Sequence, residues 1–346
     1  MSAGFWDEKF MRAALIEAEK GIGLTSPNPA VGAVLVVDNK ILAKGHHRRA
    51  GEAHAEIECL RAIGGRAAKR ATLYVTLEPC STTGRTPPCT QALIDAGIGS
   101  VVIGAVDVNP KHSGRGIGLL QRAGITVRSG VLANECSAIN EPFNKWIRTG
   151  NPFVIAKCGM TLDGRLTRLP NEGRWITGAA SRRHANHFRS QVDAILIGAE
   201  TVRADNPRLT TRGGIGARQP WRVILSRSGR LPPNAHVFTD RFANRTLVVR
   251  KKSLAAVLRE LGQKEITSVL IEGGGDVLSQ ALDARLIDKV HIYAAPLFSG
   301  GPVIAFGGKG FPSSAKAMQL RDVRYEKIGG DIFISGEATY LLANNK

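Results

Sequence analysis

One imidazole, two thiols and one carboxylate stand at spacings that suit metal-dependent hydrolysis. His54 and Glu56 flank a single alanine, and Cys80 and Cys89 follow downstream, with Pro79 immediately before the first. An imidazole and two thiolates suit Zn²⁺ held tetrahedrally, with its fourth position open to water. Zinc makes hydroxide available near neutral pH, and Glu56 is placed to carry a proton from that water to a leaving group. Each residue alone also has a structural reading, since a lone histidine is commonly structural and a cysteine next to proline is commonly just a small buried side chain. The combination, with a strand expected to feed each loop, favours a metal site. Helix starts are expected near His54 and Cys80, because the positive end of a helix stabilises thiolate and hydroxide.

The eight residues from Ser81 to Pro88 separate the two cysteines, so they cannot form a plain C-x-x-C turn. Gly84, Arg85 and Thr86 in that insertion suit a loop that meets a polar or phosphorylated substrate; a structural excursion is the alternative. A second candidate site lies downstream, where Ile271-Glu272-Gly273-Gly274-Gly275-Asp276 reads as a strand, a glycine-rich turn and a helix. Glycines there let backbone N–H groups approach a phosphate at a helix N-terminus, or simply make a tight turn. The run is not G-x-G-x-x-G followed by an acid, so a Rossmann assignment is unsupported. Lys157, Trp175 and Asp205-Asn206-Pro207 each have a purely structural reading as well.

Short β-branched runs alternate with helical patterns along the chain, the mark of α/β domains with largely parallel sheets. An amphipathic helix with Met11, Ala14, Leu15 and Ala18 on one stripe opens the chain. Strands are expected at 31–37, 41–44, 72–77 and 101–106, with helices near 54, 88–96 and 116–123. The second part restarts with a strand at 153–157, then 194–198, 222–225, 246–249, 268–272 and 289–294. Its helices are expected at 180–191, 254–261 and 276–284. Thr149-Gly150-Asn151-Pro152 supplies turn chemistry between the parts, which places the boundary near 147. A length of 346 residues suits two domains. No apolar run approaches the ~20 residues needed to cross a bilayer. Five cysteines, odd in number and scattered, are no disulfide framework and fit a reducing compartment, so the cytoplasm is expected. The formal charge of +18 suits either a basic solvated surface or phosphorylated ligands, while 5% aromatic residues argue against a base-stacking platform.

The stretches PNPAVGAVLV from Pro27, AGEAHAE from Ala50, TLEPCSTTGRTPPC from Thr76, and then MTLDGR, RWIT, ADNPRLT and IEGGG run in one order across nearly the whole chain. In that order the sequence closely resembles the bifunctional riboflavin-biosynthesis deaminase/reductase family. The H-x-E … P-C … C order is shared with zinc nucleobase deaminases in general, but the long cysteine spacing ending in G-R-T-P-P-C is far more specific. The resemblance implies an α/β protein with a cytidine-deaminase-like three-layer α/β/α domain over 1–146. A dihydrofolate-reductase-like α/β domain would follow over 147–346. It implies that His54, Cys80 and Cys89 bind Zn²⁺, that Glu56 is the proton shuttle, and that Asn28, His47 and Arg85 contact substrate. In the second domain it implies substrate contacts from Arg189, Asp205, Leu209, Arg212 and Glu272. NADPH contacts would come from Gly159, Trp175, Thr201, Gly273, Gly274 and Gly275. Lys157 and Asp163 share the KxxxxLDG stretch. Arg227 follows Ser226 and either meets the cofactor's 2′-phosphate or points to solvent. Many members carry histidine where this chain has Thr82, which can hydrogen-bond but cannot carry charge.

The implied activity is hydrolytic loss of the 2-amino group from a phosphorylated diaminopyrimidine riboside, then NADPH reduction of the ribosyl chain to ribityl. The expected partners are that small phosphorylated pyrimidine and further copies of the chain, with neither nucleic acid nor membrane. One alternative is a deaminase of the tRNA-editing type with a second domain that is not a reductase; the cysteine spacing argues against it. Another is a zinc-containing binding or scaffold protein, which the complete set of His54, Glu56, Cys80 and Cys89 disfavours.

Overall fold

The computed structural model describes residues 3–67, 69–82, 87–167, 175–212 and 218–341. The chain divides between Gly150 and Asn151 into two units. The first holds α1 (Ala3–Glu19), β1 (Gly32–Val37), β2 (Lys40–His46), α2 (Ala55–Ala62), β3 (Thr72–Leu77) and α3 (Cys89–Asp95). It continues through β4 (Ser100–Ala105), α4 (Arg115–Arg122), β5 (Thr126–Ser129), α5 (Ala133–Ala138) and α6 (Glu141–Thr149). The sheet order is β2-β1-β3-β4-β5. Alternation along β3 sends Leu73 and Val75 to one face, where they meet Cys59 and Leu60 of α2, Leu93 of α3 and Leu120 of α4. Tyr74 turns to the other face, against Phe10, Met11 and Ala14 of α1 and Cys136 of α5. Three layers result, because each face of a sheet must bury its apolar side chains against something.

The second unit comprises β6 (Phe153–Thr161), α7 (Ala179–Arg189), β7 (Ala194–Gly198), α8 (Ala199–Asp205), β8 (Trp221–Ser226), α9 (His236–Thr239) and β9 (Thr246–Arg250). It ends with α10 (Leu254–Gln263), β10 (Ser268–Glu272), α11 (Gly275–Asp283), β11 (Lys289–Ala295), β12 (Gln319–Ile328) and β13 (Asp331–Thr339). Its sheet order is β12-β13-β11-β6-β10-β7-β8-β9. The ladders from β11 through β9 are parallel, and β11, β13 and β12 pair antiparallel. Val154, Ala156, Leu196 and Val269 face one apolar layer with α10 and α11, while Phe153, Ile155, Ile195 and Leu270 face the other. Near-continuous apolar strands such as Ala194–Gly198 are what a parallel sheet covered on both faces requires.

Both sheets are more mixed than the alternation of strands and helices implies. β1 and β2 form an antiparallel hairpin, because Asp38 and Asn39 both take positive φ, 49° and 59°. That is the two-residue turn whose twist matches flanking strands. The β12–β13 hairpin was not anticipated, since β12 is mostly exposed and polar and carries no apolar period. Among the described residues, no helix is long and apolar enough to cross a membrane.

Candidate active sites

His54 occupies the N-cap of α2 and Cys89 is the first residue of α3. Cys80 comes from the loop after β3 and not from a helix start, which corrects the sequence expectation. The helix start belongs to Cys89, whose N–H donates to Cys80 Sγ at 3.3 Å. His54 Nδ1 lies 3.2 Å from Cys89 Sγ and 3.6 Å from Cys80 Sγ. The three ligand atoms all fall within 4.8 Å of one another. Zinc–nitrogen and zinc–sulfur bonds of about 2.0 and 2.3 Å at a tetrahedral angle put nitrogen and sulfur about 3.5 Å apart, so the set fits Zn²⁺ as it stands. The Cys89 thiol's hydrogen bond holds Cys80 down at about 4, against the effect of burial, with His54 helping. The same contact pushes Cys89 up, and with zinc bound both would serve as thiolates. Glu56, in the first turn of α2, is 3% exposed. Burial raises its carboxyl above the ordinary range, against the pull of His54, as suits a group that takes and returns a proton. Cys59, Cys136 and Cys158 are buried thiols that burial pushes up to about 12, and they are packing residues.

Asn28 and His47 reach this cluster. His47 is 2% exposed and its ring stands edge-on to His54, with centroids 5.0 Å apart. Its Nδ1 donates to the Ala53 carbonyl at 3.0 Å, which leaves Nε2 to accept from Asn28 Nδ2 at 3.1 Å. Burial lowers the His47 pKa, so the ring is neutral. Asn140 clamps the Asn28 loop, accepting from Ala30 N–H at 2.8 Å and donating to its carbonyl at 2.9 Å. Arg85 lies outside the described residues. Thr82 Oγ1 is 3.4 Å from His112 Nδ1.

Sequence reasoning passed over Glu78. Its buried carboxylate accepts backbone N–H groups of Asp107 and Gly114 on one oxygen and of Gly116 and Ile117 on the other, at 2.9–3.3 Å. This clamps the β4–α4 loop and the start of α4 against the loop that carries Cys80. Gly116 is required there, because a Cβ would collide with the Pro79 carbonyl oxygen.

A second cluster forms where β10, β6 and β11 run side by side, with Glu272, Lys157 and His291 in one register row. Arg189, at the end of α7, reaches Glu272 with two parallel hydrogen bonds, Nε to Oε1 at 2.5 Å and Nη2 to Oε2 at 2.8 Å. Burial works to raise the Glu272 pKa, but the Arg189 guanidinium wins and holds it at about 2. Arg189 Nη1 also donates to the Thr210 carbonyl at 3.3 Å. Asn186, one turn earlier, accepts from Arg212 N–H at 3.0 Å and donates to the same Thr210 carbonyl at 3.3 Å. The 205–212 loop is thereby seated over α7. Asp205 ends α8 and is exposed. Leu209 is 3% exposed and packs with Val202, Ile224 and Val237, so only its backbone is left to meet a ligand.

Gly273 and Gly274 take φ values of 82° and 74°, and Gly275 starts α11. A Cβ on Gly274 would lie 3.1 Å from Thr201 Oγ1, and one on Gly275 would collide with the Ile304 carbonyl oxygen. The bare turn and Thr201 thus share one place at the carboxyl ends of β7 and β10, where open α/β sheets take ligands. A Cβ on Gly159 would meet the Thr177 side chain at 3.1 Å. Trp175 is half exposed, with the Arg182 guanidinium 4.7 Å from its ring centroid. Asp163 accepts from Thr161, Ser299 and Gly300 and ties the loop after β11 to the end of β6.

Residues 5–105 match the cytidine and deoxycytidylate deaminase zinc-binding region, and residues 152–334 match the RibD C-terminal domain. Riboflavin biosynthesis protein RibD of Synechocystis sp. is 40% identical, over 98% of this chain and 97% of that protein. The Escherichia coli protein of the same name is 37% identical, over 94% and 98%. Among solved structures, a diaminohydroxyphosphoribosylaminopyrimidine deaminase/5-amino-6-(5-phosphoribosylamino)uracil reductase from Thermotoga maritima superposes with a TM-score of 0.87 at 34% identity, covering 98% of this chain and all of that one. RibD of Acinetobacter baumannii does so equally, with a TM-score of 0.87 at 34% identity and 98% coverage.

Proposed function

Because the chain belongs to the RibD family of bifunctional riboflavin-biosynthesis enzymes, we propose a specific division of labour among its residues. The protein is a deaminase and a reductase: it removes the 2-amino group of the phosphorylated diaminopyrimidine riboside, then reduces the ribosyl chain. Its cofactors are zinc and NADPH. Residues 1–146 carry the deaminase and 147–346 the reductase in this reading. His54, Cys80 and Cys89 hold the metal, and the observation that carries this is their convergence within 4.8 Å. Zinc in that set supplies the Lewis acidity that makes water a nucleophile at neutral pH. Glu56 takes the proton of the attacking water and returns it to the departing amine. Asn28 and the neutral His47 position the pyrimidine through hydrogen bonds, and Arg85 meets its phosphate.

In the second unit, Gly159, Trp175, Thr201 and Gly273–Gly275 hold NADPH, which supplies hydride to C1′ of the open-chain sugar. Arg189, Asp205, Arg212 and Glu272, with the backbone of Leu209, hold the sugar phosphate, and Lys157 faces the same row. The tRNA-editing alternative is not favoured, since the second half matches a reductase domain. The reading extends to the cytoplasm and to a homo-oligomer, the latter supported by Tyr325 and Ile332 standing exposed on the β12–β13 hairpin. The test is ammonia release by the zinc-loaded protein from the diaminopyrimidine ribosyl phosphate, then loss of NADPH absorbance when the dinucleotide is added. Both signals support the assignment. Ammonia without NADPH oxidation removes the second half of it, and neither signal removes the whole.

A further inference from the structure

The helix that grips Glu272 and the 205–212 loop cannot cap its own start. α7 begins from Gly178, which has no side chain, and no acid stands in its first turn. The first amides of a helix have no partner inside it, and an acceptor that carries negative charge suits them best. Asp331, 153 residues further along the chain at the head of β13, supplies that acceptor. Its Oδ2 accepts from Gly178 N–H at 2.8 Å and from Ser181 Oγ at 2.5 Å. Asp331 is 4% exposed and Ser181 1%, so the carboxylate faces the helix and not the solvent. Gly329, in the turn before Asp331, has a φ of 63°, and a Cβ on it would lie 3.2 Å from Ala180 Cβ. The β12–β13 turn is thus pressed against the first turn of α7.

Residues assigned to both ligands of the reductase depend on that helix. Just before it, the Thr177 side chain stands where a Cβ on Gly159 would need room, and the Thr177 carbonyl accepts from Arg182 Nη1 at 2.5 Å. The same guanidinium lies over the Trp175 ring. Midway along, His184 Nδ1 and the Tyr293 hydroxyl are hydrogen-bonded at 2.9 Å, and Tyr293 pairs with Gly159 across the β6–β11 ladder. At the far end, Asn186 and Arg189 hold the Thr210 carbonyl and Glu272. The 11 residues of α7 make a rod about 16 Å long, so a slip at its start is carried to the residues at its end.

Resting on the reductase reading above, we propose that Asp331 is a positioning residue of the reductase. Its carboxylate is buried and spent on α7, so it meets neither ligand. It fixes the start of the helix, and through the helix it sets the Trp175–Thr177 segment for the dinucleotide and Asn186 and Arg189 for the sugar phosphate. Without the carboxylate, the start of α7 leaves its seat in part of the population, and each ligand binds only the seated fraction. Ligands that bind the seated form draw the helix back, so the loss falls on binding and not on hydride transfer.

The experiment compares the zinc-loaded full chain with Asp331→Ala, Asp331→Asn, Ser181→Ala and Tyr340→Phe. The last removes a hydrogen bond from Ile287 N–H at the amino end of β11, opposite the ligand end of the sheet, and serves as a control for lost stability in the same unit. NADPH oxidation is measured with NADPH and the deaminated intermediate varied in turn, alongside ammonia release and the unfolding midpoint. Asp331→Ala raises both KM values about 10-fold and keeps kcat within about 3-fold. Ser181→Ala, which keeps the bond to Gly178, raises both by about 3-fold and carries the test should Asp331→Ala not fold. Asp331→Asn, which keeps an oxygen for both donors, restores most of each value. Ammonia release stays at the wild-type rate throughout, and Tyr340→Phe lowers the unfolding midpoint with both KM values unmoved. If Asp331→Ala likewise lowers the midpoint and moves neither KM, the carboxylate is a structural cap and the proposal is overturned. A rise in only one KM, or a fall in kcat with both KM values unmoved, also overturns it. If the wild type oxidises no NADPH, the reductase reading fails separately. Amide exchange over residues 178–182 then decides the anchor alone: faster exchange in Asp331→Ala supports it, and unaltered exchange overturns it.

Discussion

Glu56 and Glu78 are both buried carboxylates beside a metal ligand, yet their surroundings give them opposite work. Glu56 has burial as its dominant influence, which favours the protonated form and suits it to the proton exchange proposed for it. Glu78 is held by four backbone N–H groups and has no lone pair to spare for chemistry. Glu56→Gln is therefore expected to lower ammonia release by about 10²- to 10⁴-fold while zinc content, measured by plasma mass spectrometry, stays at the wild-type value. Zinc loss in that variant would show Glu56 to be a ligand and not a shuttle. Glu78→Ala is expected to cost at least about 1–3 kcal/mol, because it strands buried donors. Faster amide exchange confined to residues 107–117 would mark the effect as loss of the clamp. The candidate ligand set was legible in the sequence, and the structure brings its three donors within 4.8 Å of one another, because three sulfur and nitrogen donors with an adjacent acid are rare enough to stand out by type and order. Glu78 lay in plain view within Leu77-Glu78-Pro79-Cys80, but its partners are backbone amides 29–39 residues away, and no side-chain pattern announces those.

At the scale of elements, the loop over 205–212 is held from two sides. Asn186 and Arg189 of α7 grip Thr210 and Arg212 from one side. From the other, Arg222 of β8, 1% exposed, donates to the Arg208 carbonyl at 3.1 Å and pairs with both oxygens of Asp240. Its Nη1 and Nη2 are both engaged while Nε has no partner among the described residues, and removing one partner of such a buried pair costs about 3–5 kcal/mol. Arg222→Met is thus expected to lower the unfolding midpoint of the second unit substantially. Asn186→Ala, which loses about 1 kcal/mol of loop contacts, is expected to raise KM for the deaminated intermediate with kcat nearly kept. An equal fall in kcat, with KM unmoved, would place Asn186 in the chemistry instead. Strands 72–77, 194–198 and 268–272 were legible to the residue, because β-branched runs between turn residues have no competing reading. β5, α5 and α6 were missed because they are short, and the β12–β13 hairpin because β12 is mostly exposed and polar and carries no apolar period. The mixed pairing within each sheet was hidden for a different reason: direction is set by turns such as Asp38-Asn39, not by strand composition.

At the scale of the whole molecule, the two-part division could be read from the Thr149–Pro152 turn and the restart of strands after it. The net charge of +18 could not be given a place from sequence alone. Part of it lies inside the second unit, where it shapes the response to acid. His291 is 5% exposed, its Nδ1 has no hydrogen-bond partner among the described residues, and Phe188 and Phe333 pack against its ring. Burial, helped by Lys289, His184 and Lys157, lowers its pKa to about 3. A histidine with a depressed folded pKa binds its proton in the unfolded chain first, so its neutral form supports folding above about pH 6.5 and that support falls away as the pH drops toward 3. At pH 5 the penalty is about 2 kcal/mol. Glu272 adds a second, lower window: its folded pKa of about 2 lies below the unfolded value, so its contribution is complete above about pH 4.5 and is lost between there and 2. The second unit is therefore expected to lose urea resistance between pH 7 and 5, before any carboxylate of the Arg189–Glu272 pair titrates. His291→Leu is expected to flatten that first loss while leaving the second in place, as read by amide exchange of β11 at pH 7, 5 and 3.5. A variant that keeps the full loss between pH 7 and 5 would assign it to another group and leave His291 as a packing residue only.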